Sequence, residues 1–386
     1  MKNNSSSLLP NGLEDLLPPF AGHEADLSYR LINDFVGFGY RRVKTPLAEF
    51  EDSLLAGGPS SKLSHKTFRV MDPVSKKMMG VRSDTTPQIG RLALSRLRDA
   101  ARPLRLSYCA DILRVQGSDL RPERQYCQVG CELIGDESLE ADVEILLIAV
   151  HSLMDLGLEG LSVDLCCSSL INTIFDEYDV KSSEREEYLL CLAHRDRDSL
   201  SAFDCEAARV FCLLIDAIGR ADKGFTLLSD HKFPSRVRAV VDELESRYEA
   251  FVQGLTQMGI EGVSVTLDLV EKRGFEYHKG MGFALFAKGV RGELGRGGRY
   301  DAGLGDEAES AVGFTFYMDS VRRAVGEREM QYRFIYVPYG VSWADVLKVQ
   351  DDGYCVIRGD YQVDQIEEIR GLGCAYCLRD GQVFEI

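Results

Sequence analysis

The sequence predicts an α+β chain: a largely antiparallel sheet flanked by helices, carrying a helical insertion and a small C-terminal piece of strands and helices. Three observations lead there. Residues 66–84 and 104–135 each read as strand, polar turn, strand, the short-range signature of antiparallel pairing. Strand alternation vanishes between about 171 and 258, where helical patterns run almost throughout, and returns at 263. Past about residue 327 short strand and helix stretches take turns, so the boundary is placed between residues 1–327 and residues 328–386.

The elements follow in order. HEADLSYRLINDFVGFG (23–39) is a helix with Leu27, Leu31 and Phe35 on one stripe and glycines at its end. YRRVKTPLAEF (40–50) gives a strand and an extended segment before proline. KTFRVMDPVSKKMMGVRSD (66–84) is a hairpin whose Asp-Pro and Ser mark the turn, and Pro87 suits the start of the next helix. LRLSYCADILRVQ (104–116) and RQYCQVGCELIG (124–135) are strands joined by the polar loop GSDLRPE (117–123). EADVEILLIAVHSLMDLG (140–157) is a helix turning Val143, Leu146, Leu147, Val150 and Met154 inward, and LSVDLCC (161–167) is a strand. In VSVTLDLV (263–270) Val263, Val265, Leu267 and Leu269 alternate with polar residues. GMGFALFAKG (280–289) and AVGFTFYM (311–318) complete the sheet.

Between those last two lies LGRGGRYDAGLGD (294–306), read as a glycine-rich connection. A dinucleotide fingerprint requires strand, Gly-x-Gly-x-x-Gly and helix within a βαβ unit. This stretch sits between antiparallel strands instead, so its glycines serve tight turns and close backbone approach.

Composition narrows the function. An apolar share of 45% and a charged share of 27% are those of an ordinary globular protein, and no run of about 18 apolar residues is present to span a membrane. The polar start MKNNSSSLLPNG lacks an apolar signal core, so the expected compartment is the cytoplasm. A net charge of −16 with no Lys/Arg-rich block opposes binding to a nucleic-acid backbone, so no nucleic-acid partner is expected. The 11 cysteines are scattered through apolar stretches as small hydrophobes. Cys374 and Cys377 have Cys-x-x-Cys spacing but lack an obvious second pair, so no metal site and no cofactor are expected.

Four segments carry polar residues that converge. Asp84 lies between Ser83 and Thr85 at the end of a strand, and Thr86 follows. The period-2 rule puts Gln128, Gly130 and Glu132 on one face of their strand, where a buried Gln and Glu need partners. EKRGFEYHKG (271–280) brings Arg273, Tyr277 and His278 among glycines. Carboxylates for an ammonium, an arginine for a carboxylate and aromatic walls make the inventory of a free amino-acid pocket. Singly, each has a plainer reading: Glu132 as a surface strand residue, His278 as a packed histidine, Asp84 as a helix cap.

In this order the segments resemble the catalytic core of the histidyl-tRNA synthetase family, a class II aminoacyl-tRNA synthetase fold, over roughly residues 10–327. GLEDLLPPFAGHEADLSYRLINDFVGFGYRRVKTPLAEFED resembles its motif 1 region, LRVQGSDLRPERQYCQVGCELIG its motif 2, and GGRYDAGL with AVGFTFYMDS its motif 3 region. RGFEYHKG resembles the histidine-specific segment. By that resemblance Asp84, Thr86, Arg114, Gln128, Glu132, Arg273, Tyr277, His278 and Tyr300 are the expected histidine contacts, Arg273 facing the carboxylate. The nucleotide contacts depart: Ser320 stands where the family has the motif 3 arginine, Gln116 where it has the adenine-reading Glu, and Tyr317 and Met318 where it has Gly and Leu. Losing a phosphate-binding arginine removes electrostatic stabilisation that adenylation needs.

YHKG and RSDTTPQIGRL are similar instead to a non-charging branch, the regulatory subunits of ATP phosphoribosyltransferase. That resemblance implies a chain without catalytic residues, required for the first step of histidine biosynthesis and conveying feedback by histidine. It implies a homodimer within a hetero-oligomer with a short catalytic phosphoribosyltransferase subunit. An active or degenerate histidyl-tRNA synthetase and a stand-alone histidine sensor fit the same motifs.

Overall fold

Leu27, Leu31 and Phe35 become buried on α1 (Phe20–Gly37), which ends two residues before Gly39, where φ is +85° and glycine suits the turn. The computed structural model describes residues 8–55, 63–118, 121–271, 278–303, 307–326 and 332–386, without the side chain of His278. Two short strands follow α1, β1 (Arg41–Arg42) and β2 (Ala48–Phe50), then the one-turn helix α2 (Glu51–Leu54). β3 (Arg69–Met71) and β4 (Met78–Val81) form the expected hairpin, and β2 joins it in a three-stranded sheet. Asp72 closes that turn by accepting from the backbone N–H of Val74 and Ser75.

The main sheet adds β5 (Leu104–Leu113) and β6 (Gln125–Ile134) after α3 (Thr86–Leu94), which carries Pro87 in its first turn. Next come α4 (Leu139–Asp155), capped by the Ser138 hydroxyl accepting from Ala141 N–H at 3.2 Å, and β7 (Leu161–Cys167). The helical insertion comprises α5 (Ser168–Glu177), α6 (Ser182–His194), α7 (Arg197–Ser201), α8 (Glu206–Asp216), α9 (Ala221–Ser229) and α10 (Ser235–Gln257). It also contains a two-residue strand, β8 (Gly219–Arg220), which the helical pattern concealed. β9 (Ser264–Leu267), β10 (His278–Ala287), β11 (Gly295–Ala302), β12 (Glu309–Tyr317) and α11 (Met318–Val325) complete this part.

Among the described residues the sheet has nine strands in the order β1-β5-β6-β12-β11-β10-β7-β9-β8. Its centre is antiparallel, and the pairs β1–β5 and β7–β9 are parallel. One face packs against α1, α4 and the insertion through a core that includes Phe35, Val129, Leu146, Val163, Phe211, Phe251 and Phe314.

Two expectations need correction. Residues 295–302 are not a connection but the strand β11, paired on both sides. Its glycines are there for closeness: a Cβ on Gly297 would lie 2.4 Å from Gly313 O and 2.4 Å from the Phe283 ring. The strand expected over 263–270 stops at Leu267, because Asp268 turns the chain and its carboxylate accepts from Val270 N–H at 3.2 Å.

The chain divides into two units, Met1–Glu327 and Arg328–Ile386. The second runs β13 (Phe334–Pro338), α12 (Trp343–Asp351), β14 (Cys355–Gly359), α13 (Ile366–Gly371), β15 (Tyr376–Arg379) and β16 (Gln382–Glu385), with strand order β14-β13-β15-β16. Ile335 and Val337 pack on Val346 and Val349 of α12, while Tyr336 faces Ile369, Cys374 and Cys377 on the other side. Cys374 and Cys377 are thus buried in a small core, and no group of three or more metal-ligating side chains occurs among the described residues. Among them, no helix is long and apolar enough to cross a membrane.

Candidate functional site

The strand register assembles the site. On the sheet face away from α1, three rows of side chains cross β5, β6, β12 and β11. Glu132 lies opposite Gly313, which lies opposite Gly298; Gly130 lies between Tyr108 and Thr315; Gln128 lies opposite Tyr317. Glycines at the middle of the rows leave a hollow, and polar or aromatic side chains rim it. The room is needed: a Cβ on Gly313 would meet Glu132 Oε2 at 1.9 Å, and one on Gly130 would meet the Tyr108 hydroxyl at 2.7 Å. Asp84, Thr86, Glu132, Arg296, Tyr300 and Tyr317 are among the residues that line the hollow.

Glu132 is its centre and is 1% exposed. Thr86 Oγ1 donates to Glu132 Oε1 at 2.8 Å, and the Tyr300 hydroxyl donates to Oε2 at 2.9 Å. Burial pushes this carboxyl up to about 8, against the pull of those two hydrogen bonds, and the Asp84 charge adds to the rise. The Tyr108 hydroxyl, 3.4 Å away, is buried and also raised, chiefly by desolvation.

Gln128 is fully buried, and its Oε1 accepts from Thr85 N–H at 2.9 Å and Thr85 Oγ1 at 2.8 Å. Its Nε2 is thereby turned toward Asp84 Oδ2, at 3.5 Å. Asp84 accepts from Thr86 N–H at 3.2 Å, a local turn that starts α3, and lies 3.6 Å from the Arg114 guanidinium. Arg114 Nε donates to Ser83 O at 3.2 Å. The hollow therefore offers carboxylate oxygens with a cation close beside them, charges of both signs that suit a zwitterion.

Six expected contacts, Asp84, Thr86, Arg114, Gln128, Glu132 and Tyr300, converge here. Arg273, Tyr277 and the His278 side chain lie outside the described residues. Thr85, Tyr108, Arg296 and Thr315 were not anticipated. The period-2 rule on β5 and β12 selects Tyr108 and Thr315, but only the register shows that they share the face of Glu132.

Beside the hollow, the start of α11 is occupied by the chain itself. Ser320 is fully buried, and Arg121 donates to Ser320 Oγ at 2.9 Å, Asp319 Oδ1 at 2.7 Å and Glu293 O at 2.9 Å. The same guanidinium stacks 4.0 Å from the Tyr317 ring and 4.8 Å from that of Tyr126. Gln116 is exposed.

The chain matches the histidyl-tRNA synthetase family over residues 12–321. It is 41% identical to the ATP phosphoribosyltransferase regulatory subunit of Rhodospirillum centenum, covering 99% of this chain and 97% of that one. It is 41% identical to the subunit of the same name from Paramagnetospirillum magneticum, over 98% of each. In fold it is similar to a Bacillus halodurans structure described as an ATP phosphoribosyltransferase regulatory subunit/histidyl-tRNA synthetase, with a TM-score of 0.79 and 21% identity, covering 96% of this chain and 97% of the other.

Proposed function

Since the chain belongs to the histidyl-tRNA synthetase family and, within it, to the ATP phosphoribosyltransferase regulatory subunits, we propose that it binds free histidine in the Glu132 pocket and acts without charging tRNA. It is the regulatory subunit of an ATP phosphoribosyltransferase and serves the first step of histidine biosynthesis. One observation carries the proposal: the amino-acid hollow is furnished with Asp84, Gln128, Glu132 and Tyr300, while the neighbouring space before α11 is taken by Arg121 and Tyr317. Asp84 receives the ligand ammonium; Gln128 and Glu132 complete the polar floor, and Arg273 pairs with the carboxylate. Hydrogen bonds to charged groups are worth about 1.5–3 kcal/mol each, so Glu132→Ala weakens histidine binding about tenfold or more by calorimetry.

The partner is a short catalytic phosphoribosyltransferase subunit, and the cytoplasm is the compartment. A homodimer through the α1 region fits the apolar side chains of Tyr29, Val36, Leu47, Phe50, Val70 and Met71, all exposed in the single chain. Histidine changes activity only as far as it binds one assembly state better than another. Co-expression with the catalytic subunit of the same organism tests this reading. The expected result is co-purification, restored ATP phosphoribosylation, and inhibition by histidine that Arg273→Ala blunts without dissolving the complex. Full, histidine-sensitive activity of the catalytic subunit alone would refute it.

A further inference from the structure

Arg121 lies outside the hollow, yet it is tied to one of the walls. Tyr317 ends β12, lines the hollow, and is 6% exposed. Among the described residues its ring meets the Tyr126 ring, edge-on at 5.7 Å, and the Arg121 guanidinium, stacked at 4.0 Å, with Ile112 in the same buried cluster. That guanidinium has little freedom. Its side chain is 11% exposed, and the hydrogen bonds to Asp319, Ser320 and Glu293 O fix both its plane and its distance from the ring. Asp319 is held in turn by Arg323 at 3.0 Å, and Arg323 reaches Glu123 at 3.1 Å. The segment around Arg121 is therefore fastened to α11 at two points, by charges that compensate one another locally.

We infer that Arg121 is a positioning residue for ligand specificity: it braces Tyr317 as a wall of the amino-acid pocket and keeps a nucleotide from entering beside it. This rests on the reading of the hollow as a histidine site. A ring held from behind by a stacked cation needs no bound nucleotide to complete the wall, so the pocket is closed on that side before any ligand arrives. A triphosphate approaching the same place meets the Asp319 and Glu293 carboxylates, and the cations beside them, Arg121 and Arg296, are already engaged by those carboxylates. Lysine at 121 keeps the charge but neither stacks as a plane nor serves three acceptors in fixed directions, so it does not replace arginine.

The test compares the full-length wild type with Arg121→Ala and Arg121→Lys, each first matched for thermal stability. Calorimetry reads L-histidine affinity. Nitration by tetranitromethane, followed by peptide mass spectrometry, reads the exposure of Tyr317 and requires no ligand. We expect Tyr317 to be protected in the wild type and nitrated in both variants, and histidine to bind about tenfold more weakly to both, since a desolvated cation–π contact is worth about that factor. Magnesium-free ATP, titrated in parallel, should show no binding to the wild type. A variant of wild-type stability with unchanged Tyr317 protection, or with unchanged histidine affinity, overturns the bracing role. ATP binding by the wild type overturns the exclusion. A wild type that binds no histidine counts against the proposed ligand instead, and nitration then decides the bracing role alone.

Discussion

Glu132 titrates where few carboxyls do, and this gives the pocket a pH signature. Its folded value is raised from the ordinary 4.5 to about 8, so between those values the folded chain holds a proton that the unfolded chain has lost. Its contribution to stability is therefore fully present below about pH 4.5 and is lost as pH rises through about 8. Removing the titration with Glu132→Gln should flatten the fall in unfolding free energy between pH 5 and 8, read from denaturant melts at several pH values. A cationic ligand group favours the ionised form, so histidine binding at pH 7 should expel a proton. Calorimetry in two buffers of different ionisation enthalpy checks this, and equal apparent enthalpies would count against Glu132 as the ligand's partner. Glu132 and Gln128 were legible because they stand four residues apart on one strand, two full periods, and so share a face. Tyr108, Thr85 and Thr315 were not, since the alternation within a strand says nothing about which neighbour it faces.

At the scale of elements, the sheet, α4 and the insertion are joined by a buried charge cluster. Asp142 of α4 is fully buried and accepts from Arg247 of α10 at 2.5 Å and from Arg299 of β11 at 2.9 Å. Arg299 also donates to Asp136 O at 2.7 Å and Ser310 Oγ at 2.7 Å, which fastens the end of β11 near Tyr300. Breaking such a cluster leaves Arg299 without its Asp142 counter-charge and Arg247 with the more exposed Glu243 at 2.9 Å, and Asp142→Ala should cost about 3–5 kcal/mol in urea unfolding. Replacement of Arg323, whose side chain is 39% exposed, should change stability by less than about 1 kcal/mol. None of this was legible. Helices and hairpins declare themselves through local periodicity, as α1, α4 and the β3–β4 turn did, whereas Asp142, Arg247 and Arg299 are brought together across 105 and 157 positions. β11 was misread for a related reason: a strand made of Gly-Arg-Gly-Gly-Arg shows no side-chain alternation, and its strand character lies in the neighbours that approach it.

For the molecule as a whole, the two units close separate cores, one running from Leu27 to Val321 and the other confined to residues after 333. A chain ending after Gly326 should then keep wild-type histidine affinity by calorimetry, and loss of binding would place part of the site in Arg328–Ile386. The full chain, given ATP, histidine and tRNA, should form no histidyl-tRNA above background, because Arg121 fills the space before α11 and Ser320 carries no cation of its own. Sequence patterns were enough to expect an α+β core and a smaller C-terminal piece, and the family resemblance supplied most of the site residues. The glycine floor of the hollow also reaches the gene. Every single-base missense change in a glycine codon installs a Cβ, and at Gly313 that atom lands 1.9 Å from the carboxylate on which the pocket is centred. Codon 313 therefore has no silent amino-acid neighbours: drift can close this pocket in one step, but cannot resize it there by degrees.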